Sequence, residues 1–255
     1  MEIHDGIDNG AHERSRAPRA RGAAAASVSL RGAALAISAF LFAGGAAAEQ
    51  RCMTAPEPGT DWSDCNKGNI VLRGGDLEGA NLTGTNFSAT DLREANLNSA
   101  NLQGATLVRT SLAGASAQKA NFAKVEGYRS NFAGVSAEGA SFASAELQRS
   151  DFSEARLNGV LFEKAELGRA NFNKAVLSGV RFPLANLARA DLSGAIFEGP
   201  IDFGKAFMFL TRIEGLDLSA ASGLEQAQVD IACGDAETKL PPGLTMPASW
   251  PCSFE

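Results

Sequence analysis

The sequence predicts a solenoid built from five-residue units, and three observations predict it. A large apolar residue, here called the centre, returns at every fifth position from Leu72 to Phe197, in 26 consecutive units. Five is neither the 3.6 of a helix nor the 2 of a strand. Two residues before most centres sits a small residue, as in Ala95, Ala100, Ala105, Ala165, Ala170, Ala175 and Ala190, or else Thr, Ser or Val. The composition is that of a soluble chain, 45% hydrophobic and 20% charged, yet Tyr occurs once and both histidines, His4 and His12, lie near the start.

The N-terminal segment has the features of an export signal. Ala33 to Ala43 is an apolar run of secretory h-region length, Arg31 supplies the positive flank, and Ala46-Ala47-Ala48 before Glu49 offers an A-x-A cleavage site. The run is too short to span a bilayer. The stretch before it, with Asp5, Asp8 and Glu13, is long and acidic for an n-region, so a compact signal beginning at Val28 is the expected true start. An uncleaved anchor is the alternative, and no lipobox precedes Cys52. Residues 1–48 are accordingly read as a signal peptide, and the mature chain as periplasmic or secreted.

The repeat can be written A-[N/D]-[L/F]-x-x. Its copies ANLNS, ANLQG, ANFNK, ANLAR and ADLSG match the consensus of the pentapeptide-repeat family, which this chain resembles over about 150 residues. After a one-residue insertion around Gly199 and Pro200 the frame resumes at Phe203, Met208, Ile213 and Leu218. The resemblance implies an all-β fold, a right-handed quadrilateral β-helix in which four pentapeptides make one coil of twenty residues. One large and one small inward residue per side would fill a narrow core, while backbone bonds between coils satisfy the peptide groups. At about 4.8 Å per coil the repeats would stack over roughly 36 Å.

Steps of twenty then predict columns. Phe122, Phe142, Phe162 and Phe182 stack on one side, and Phe132, Phe152 and Phe172 on the opposite one. The small centres Ala117, Gly127 and Ala137 fall on the other two sides, offsetting that bulk as close packing requires. Tyr128, beside Gly127, either swings inward to fill the vacancy or stays on the surface.

Both ends of such a rod need covering, because open coils expose strand edges and core. Residues 49–68 are read as an N-terminal cap with Trp62 as its plug, 69–220 as the β-helix, and 221–255 as a C-terminal cap. In the last segment Ser222 and Glu225 have capping-box spacing, with Leu224, Ala227 and Ile231 on one helical face lying over the final coil. The segment from Ala232 to Cys252 resembles a tail of proteobacterial pentapeptide-repeat proteins, and Trp250 is expected to pack on the solenoid. Four cysteines, Cys52, Cys65, Cys233 and Cys252, allow three connectivities in an exported chain. Rod ends lie much farther apart than the roughly 7 Å a disulfide spans between Cα atoms, which favours Cys52 with Cys65 and Cys233 with Cys252, although the tail is long enough to fold back. Zinc is the competing use, without histidine or a close CxxC pair to support it.

A histidine-based nucleophile is excluded in the body of the chain, and metal sites lose their commonest ligand. Glu126, Glu146 and Glu166 form a column, but a flat face offers no pocket to separate carboxylate pKa values. No catalytic residue, metal or cofactor is assigned. The resemblance also implies a comparison with quinolone-resistance proteins that imitate DNA on gyrase. Between Asn69 and Ala220 there are 16 acidic and 15 basic residues, a net of −1 where a duplex mimic needs a strongly negative surface, so DNA gyrase stands as the alternative partner and no nucleic acid is expected. The strongest binding candidate is a ladder. Arg109, Arg129, Arg149, Arg169 and Arg189 recur at a spacing of twenty, each two after a centre. Stacked at about 4.8 Å they repel by roughly 0.8 kcal/mol per adjacent pair even in water-like dielectric. Compensation is either internal, from Glu126, Glu146 and Glu166 three residues before and Asp151 and Asp191 two after, or external, from a protein or an envelope polyanion such as lipid phosphates or an acidic glycan. Arg109 has no acidic residue at either matching position.

Overall fold

The structure is a computed structural model and describes residues 50–197 and 199–252. The chain divides into two units, Met1–Phe40 and Leu41–Glu255, and every described residue belongs to the second. The expected signal peptide, residues 1–48, and the alternative start at Val28 lie outside the described residues. Among the described residues no helix is long and apolar enough to cross a membrane.

The twenty-residue coil is laid out by parallel bridges, each joining a residue to the one twenty further on, from Asp61 with Asn81 up to Val176 with Ile196. Within a coil the chain turns every five residues. The N–H three residues after each centre donates back to the carbonyl of that centre, as Ala100 does to Leu97 at 3.0 Å. The second residue of the turn has positive φ, at glycines such as Gly104 (67°) but also at Glu94 (60°) and Lys124 (60°), the signature of a type II turn. Between coils the N–H groups of the centre and of this second turn residue donate forward, and the residue before the centre donates backward. Leu97 reaches the Ser116 carbonyl at 2.6 Å, Ser99 the Gln118 carbonyl at 2.8 Å, and Asn96 the Gly75 carbonyl at 2.9 Å. A solenoid therefore follows from a short local motif whose peptide groups find partners only in the next coil.

The core is built from centres and from the small residues two positions before them, and nearly all of these are buried. Phe122, Phe142, Phe162, Phe182 and Phe203 stack nearly parallel, with neighbouring centroids 4.6 to 5.7 Å apart. Phe132, Phe152 and Phe172 do the same at 4.8 and 5.1 Å. The two columns meet edge to face, as at Phe142 and Phe152, 5.7 Å and 89°. At Gly127 the missing side chain is replaced from the next coil, where a methyl on Gly127 would come within 2.7 Å of Leu147 Cδ2. The Ser130 and Ser150 hydroxyls sit 2.7 and 2.9 Å from the Gly127 carbonyl and 2.9 Å from each other. Tyr128 accordingly stays outside, 37% exposed.

Threonine at the small position has a use the pentapeptide pattern does not reveal. Thr85, Thr90 and Thr110 are buried, and each hydroxyl donates to the carbonyl of a centre 23 residues earlier: Trp62, Lys67 and Phe87, at 2.6, 2.6 and 2.7 Å. A buried hydroxyl is tolerated because its proton is spent on the coil below.

The ladder runs past both expected boundaries of 69–220. Trp62 is a fully buried centre paired into the next coil through Asn81, so it begins the core rather than plugging it from a separate segment, and Cys65 takes a small position. Lys67 occupies the next centre, with Nζ 3.6 Å from the Trp62 ring centroid, and burial pushes its pKa below the ordinary lysine range. At the other end the register shifts by one residue, from Val176 with Ile196 to Arg181 with Asp202, where the insertion at Gly199 and Pro200 was expected. Pairing then continues through Cys233 and Lys239, partners of Arg212 and Asp217.

The expected helix is shorter and rotated. Ser222 is held in the ladder opposite Asp202, so it cannot cap; Glu225 and Gln228 form the capping box of α1, Gln226–Val229. Its buried residues are Gln228 and Val229, while Ala227 and Ile231 are exposed and Leu224 is partly buried. Gln228 turns inward because its amide donates to the Phe203 and Ala206 carbonyls, both at 2.9 Å. The cysteines pair as Cys52–Cys65 and Cys233–Cys252, with Cα atoms 5.5 and 5.4 Å apart. Trp250 is buried against Gly234, where a methyl group would strike its ring, and its Nε1 donates to the Ala232 carbonyl at 2.7 Å.

Candidate functional site

The five arginines Arg109, Arg129, Arg149, Arg169 and Arg189 all occupy the second turn position, on a corner where one five-residue segment passes into the next. Their φ angles lie between 57° and 60°, in the left-handed region that glycine enters freely and other residues enter at a cost. Consecutive backbones are tied coil to coil: Arg149 donates to the Gly168 carbonyl and Arg169 to the Ala188 carbonyl, both at 2.9 Å. The side chains are exposed, one per coil.

The carboxylates expected to neutralise them are engaged elsewhere or stand apart. Among the described residues no carboxylate lies within 4.0 Å of any of the five guanidiniums. Glu166 accepts from the Asn186 amide at 2.7 Å, Asp151 from the Asn171 amide at 3.0 Å, and Asp191 from Arg212 at 3.0 Å. Beside Arg109, Asp91 is gripped by both nitrogens of the Arg93 fork at 2.8 and 2.6 Å, and these bonds hold its pKa down to about 2. Asn186 and Asn171, one coil after Glu166 and Asp151, use their amides to bridge coils, and the Arg212 guanidinium does the same for Asp191, so these carboxylates turn to other partners than the arginines. That competition is what reading by charge spacing alone overlooks.

Two hollows open along the corner. One, of about 300 Å³, is a shallow hollow lined by Gln148, Arg149, Gly168, Arg169, Ala188 and Arg189, and its wall is mostly apolar. The other, of about 340 Å³, joins Arg109 with Arg93, Asp91, Ser111 and Asn131. Between them Arg129 lies over the Tyr128 ring, 5.2 Å from its centroid. Planar forks repeated once per coil, without a counter-charge in contact, are suited to a linear ligand bearing phosphate, sulfate or carboxylate groups. Glu126, Glu146 and Glu166 also bridge in a column, on the open surface beside the corner.

Comparison with known proteins rests on the repeats. The chain is 24% identical to HetL, a pentapeptide repeat protein involved in heterocyst differentiation regulation from the cyanobacterium Nostoc sp. Strain PCC 7120, over 80% of this chain and 97% of that one, with a TM-score of 0.39. It is 21% identical to QnrB1, a plasmid-mediated fluoroquinolone resistance protein, over 69% and 88%, also at 0.39. A pentapeptide repeat protein from the Arabidopsis thaliana thylakoid lumen is 24% identical over 52% and 79%, at 0.25. These superpositions are too loose to carry any function across. No curated protein matches. The family model for pentapeptide repeats matches eight copies over residues 63–98, 90–126, 128–163 and 165–199. With that match, the five-residue turn and the parallel twenty-residue ladder, the chain belongs to the pentapeptide-repeat family and forms its right-handed β-helix solenoid.

Proposed function

We propose that this protein is a non-enzymatic, exported scaffold that binds a protein or an envelope polyanion through its regular faces, and that the arginine corner is the anion track. In this reading residues 1–48 are a cleaved signal peptide, the coil is quadrilateral in section, and the disulfide-bearing segments at the first and last turns of the ladder cover its two ends. The observation that carries it is the absence, among the described residues, of any carboxylate within 4.0 Å of five exposed arginines set one per coil, with Glu166, Asp151 and Asp191 bonded to other groups. The near-neutral repeat region, 16 acidic against 15 basic residues, speaks against the alternative of a gyrase ligand that mimics duplex DNA.

The test replaces Arg109, Arg149 and Arg189 by Ser and compares retention on a polyanion column over a salt gradient. Earlier elution at unchanged stability supports the track, because each lost phosphate-type contact lowers the salt dependence. Elution with the parent and a lower melting temperature would make the ladder structural. Export is tested separately by the mass of the periplasmic protein, which should begin at Glu49; an intact N-terminus in the cytoplasm would return gyrase to consideration.

A further inference from the structure

The arginine corner ends on exposed hydrophobic side chains that folding does not require. Arg189 donates its backbone N–H to the Phe209 carbonyl at 2.8 Å, so the last arginine and Phe209 are neighbours in adjacent coils. Phe207 and Phe209 are 52% and 42% exposed, with ring centroids 6.3 Å apart. Leu210 takes the turn position that arginine holds in the five coils below and donates to the Ile231 carbonyl at 2.7 Å. Ile231 and Leu184 are themselves exposed. Phe207 stands in a solvent-facing column that reads Asn66, Asn86, Thr106, Glu126, Glu146, Glu166 and Asn186, and Phe209 follows Gly168 and Ala188 in the next. A polar column that ends on an exposed aromatic residue, with a second exposed ring 6.3 Å away and a run of cations alongside, marks a binding surface.

Resting on the anion-track reading, we propose that the ligand is an anionic glycan carrying an acyl chain at one end. Its charged groups follow the arginine corner, and its acyl chain lies on Phe207, Phe209, Leu184 and Ile231. Charge and continuity select this occupant. A flat anionic membrane laid on this surface would press its charges over Glu126 and Glu146, whereas a single chain keeps to the corner. A second copy docked through the same patch would cover the rings and leave the arginine row without an anionic partner.

The experiment titrates the full chain with a dextran sulfate oligomer of fixed length, bare or bearing one octyl group at its end. The parent should bind the octylated oligomer about tenfold more tightly, or better, since a few buried methylene groups suffice for that. Phe207→Asn with Phe209→Ala restores the residue types one coil below; it should lose the octyl gain and keep the affinity for the bare oligomer. Should that double variant not fold, Leu184→Asn supplies the same comparison. If the parent binds both oligomers equally, the acyl site is wrong while the track stands; if it binds neither, the track itself fails. A parent dimer dispersed by the double variant, or binding to phosphatidylglycerol vesicles that the variant loses, would assign the patch to a second copy or a bilayer and overturn the proposal.

Discussion

Phe142 lies flat on Phe122, with ring centroids 4.6 Å apart and planes within 2° of parallel. Phe132 meets both edge-on at 5.8 and 5.6 Å, so each ring in this part of the core is fixed from above, below and the side. Phe142→Ala should cost about 3–5 kcal/mol, the transfer term plus an unfilled cavity. Phe142→Leu, which restores the residue type of Leu82 and Leu102 in the same column, should cost less than half of that. Denaturant unfolding of both variants checks it; equal losses would mean that ring stacking, not volume, holds the column.

How much of this was legible follows from what each residue shows on its own. The inward columns could be read because Leu and Phe return without interruption and because compact side chains at Ala117, Gly127 and Ala137 fall where the rings need room. The first coil could not be read that way. Lys67 holds a centre by lying over Trp62, and Cys65 fills a small position while bonded to Cys52, so neither looks like the repeat it belongs to. At the far end Ser222 fits a cap as a local signal, but the ladder claims it through Asp202, and tertiary pairing outweighs the local preference. The arginine corner was visible as a spacing; the absence of a carboxylate in contact with it among the described residues was not, because it depends on which group each neighbouring carboxylate chooses.

The disulfides close loops of 13 and 19 residues at the first and last turns of the ladder. In the chain-entropy model each should contribute about 3 kcal/mol. Reduction should therefore speed exchange of the Trp62 and Ile213 amides, which donate to Asn81 and Cys233, before that of Phe152, which donates to Asn171. Hydrogen exchange with and without reductant measures this. Uniform acceleration along the chain would show that the two bridges stabilise the solenoid as one cooperative unit.

Acid sensitivity should come from two carboxylates that do not pair with the five arginines. The Arg93 fork holds Asp91 down to about 2, and the Lys239 ammonium, with help from Ser219, does the same for Asp217. Because the folded values lie below the ordinary Asp value of about 3.9, their stabilisation is fully present above pH ~4 and is lost as pH falls toward ~2. Asp91→Asn and Asp217→Asn should flatten the melting temperature in that window by lowering it modestly at neutral pH and leaving it unchanged near pH ~2, the loss being small because both pairs are largely open to solvent. An unchanged slope below pH ~4 would place the acid sensitivity elsewhere.

The arginines themselves offer the sharpest separation of folding from binding. At φ 57° to 60° each non-glycine residue carries about 1–2 kcal/mol of left-handed strain, and Gly104, Gly134 and Gly159 hold the same turn position without it. Replacing arginine by glycine relieves that strain and removes repulsion between neighbouring guanidiniums, while the freer unfolded chain takes back about 0.4–1 kcal/mol. Arg109→Gly, Arg149→Gly and Arg189→Gly combined should therefore melt no lower than the parent, and within a few degrees above it. Calorimetry at low and moderate salt reads the two terms apart, because only the repulsion is screened. A triple variant that melts clearly lower would mean the side chains hold the corner together. One that melts at or above the parent would leave the arginines without a folding reason to stand there, as a site kept for an anionic partner requires.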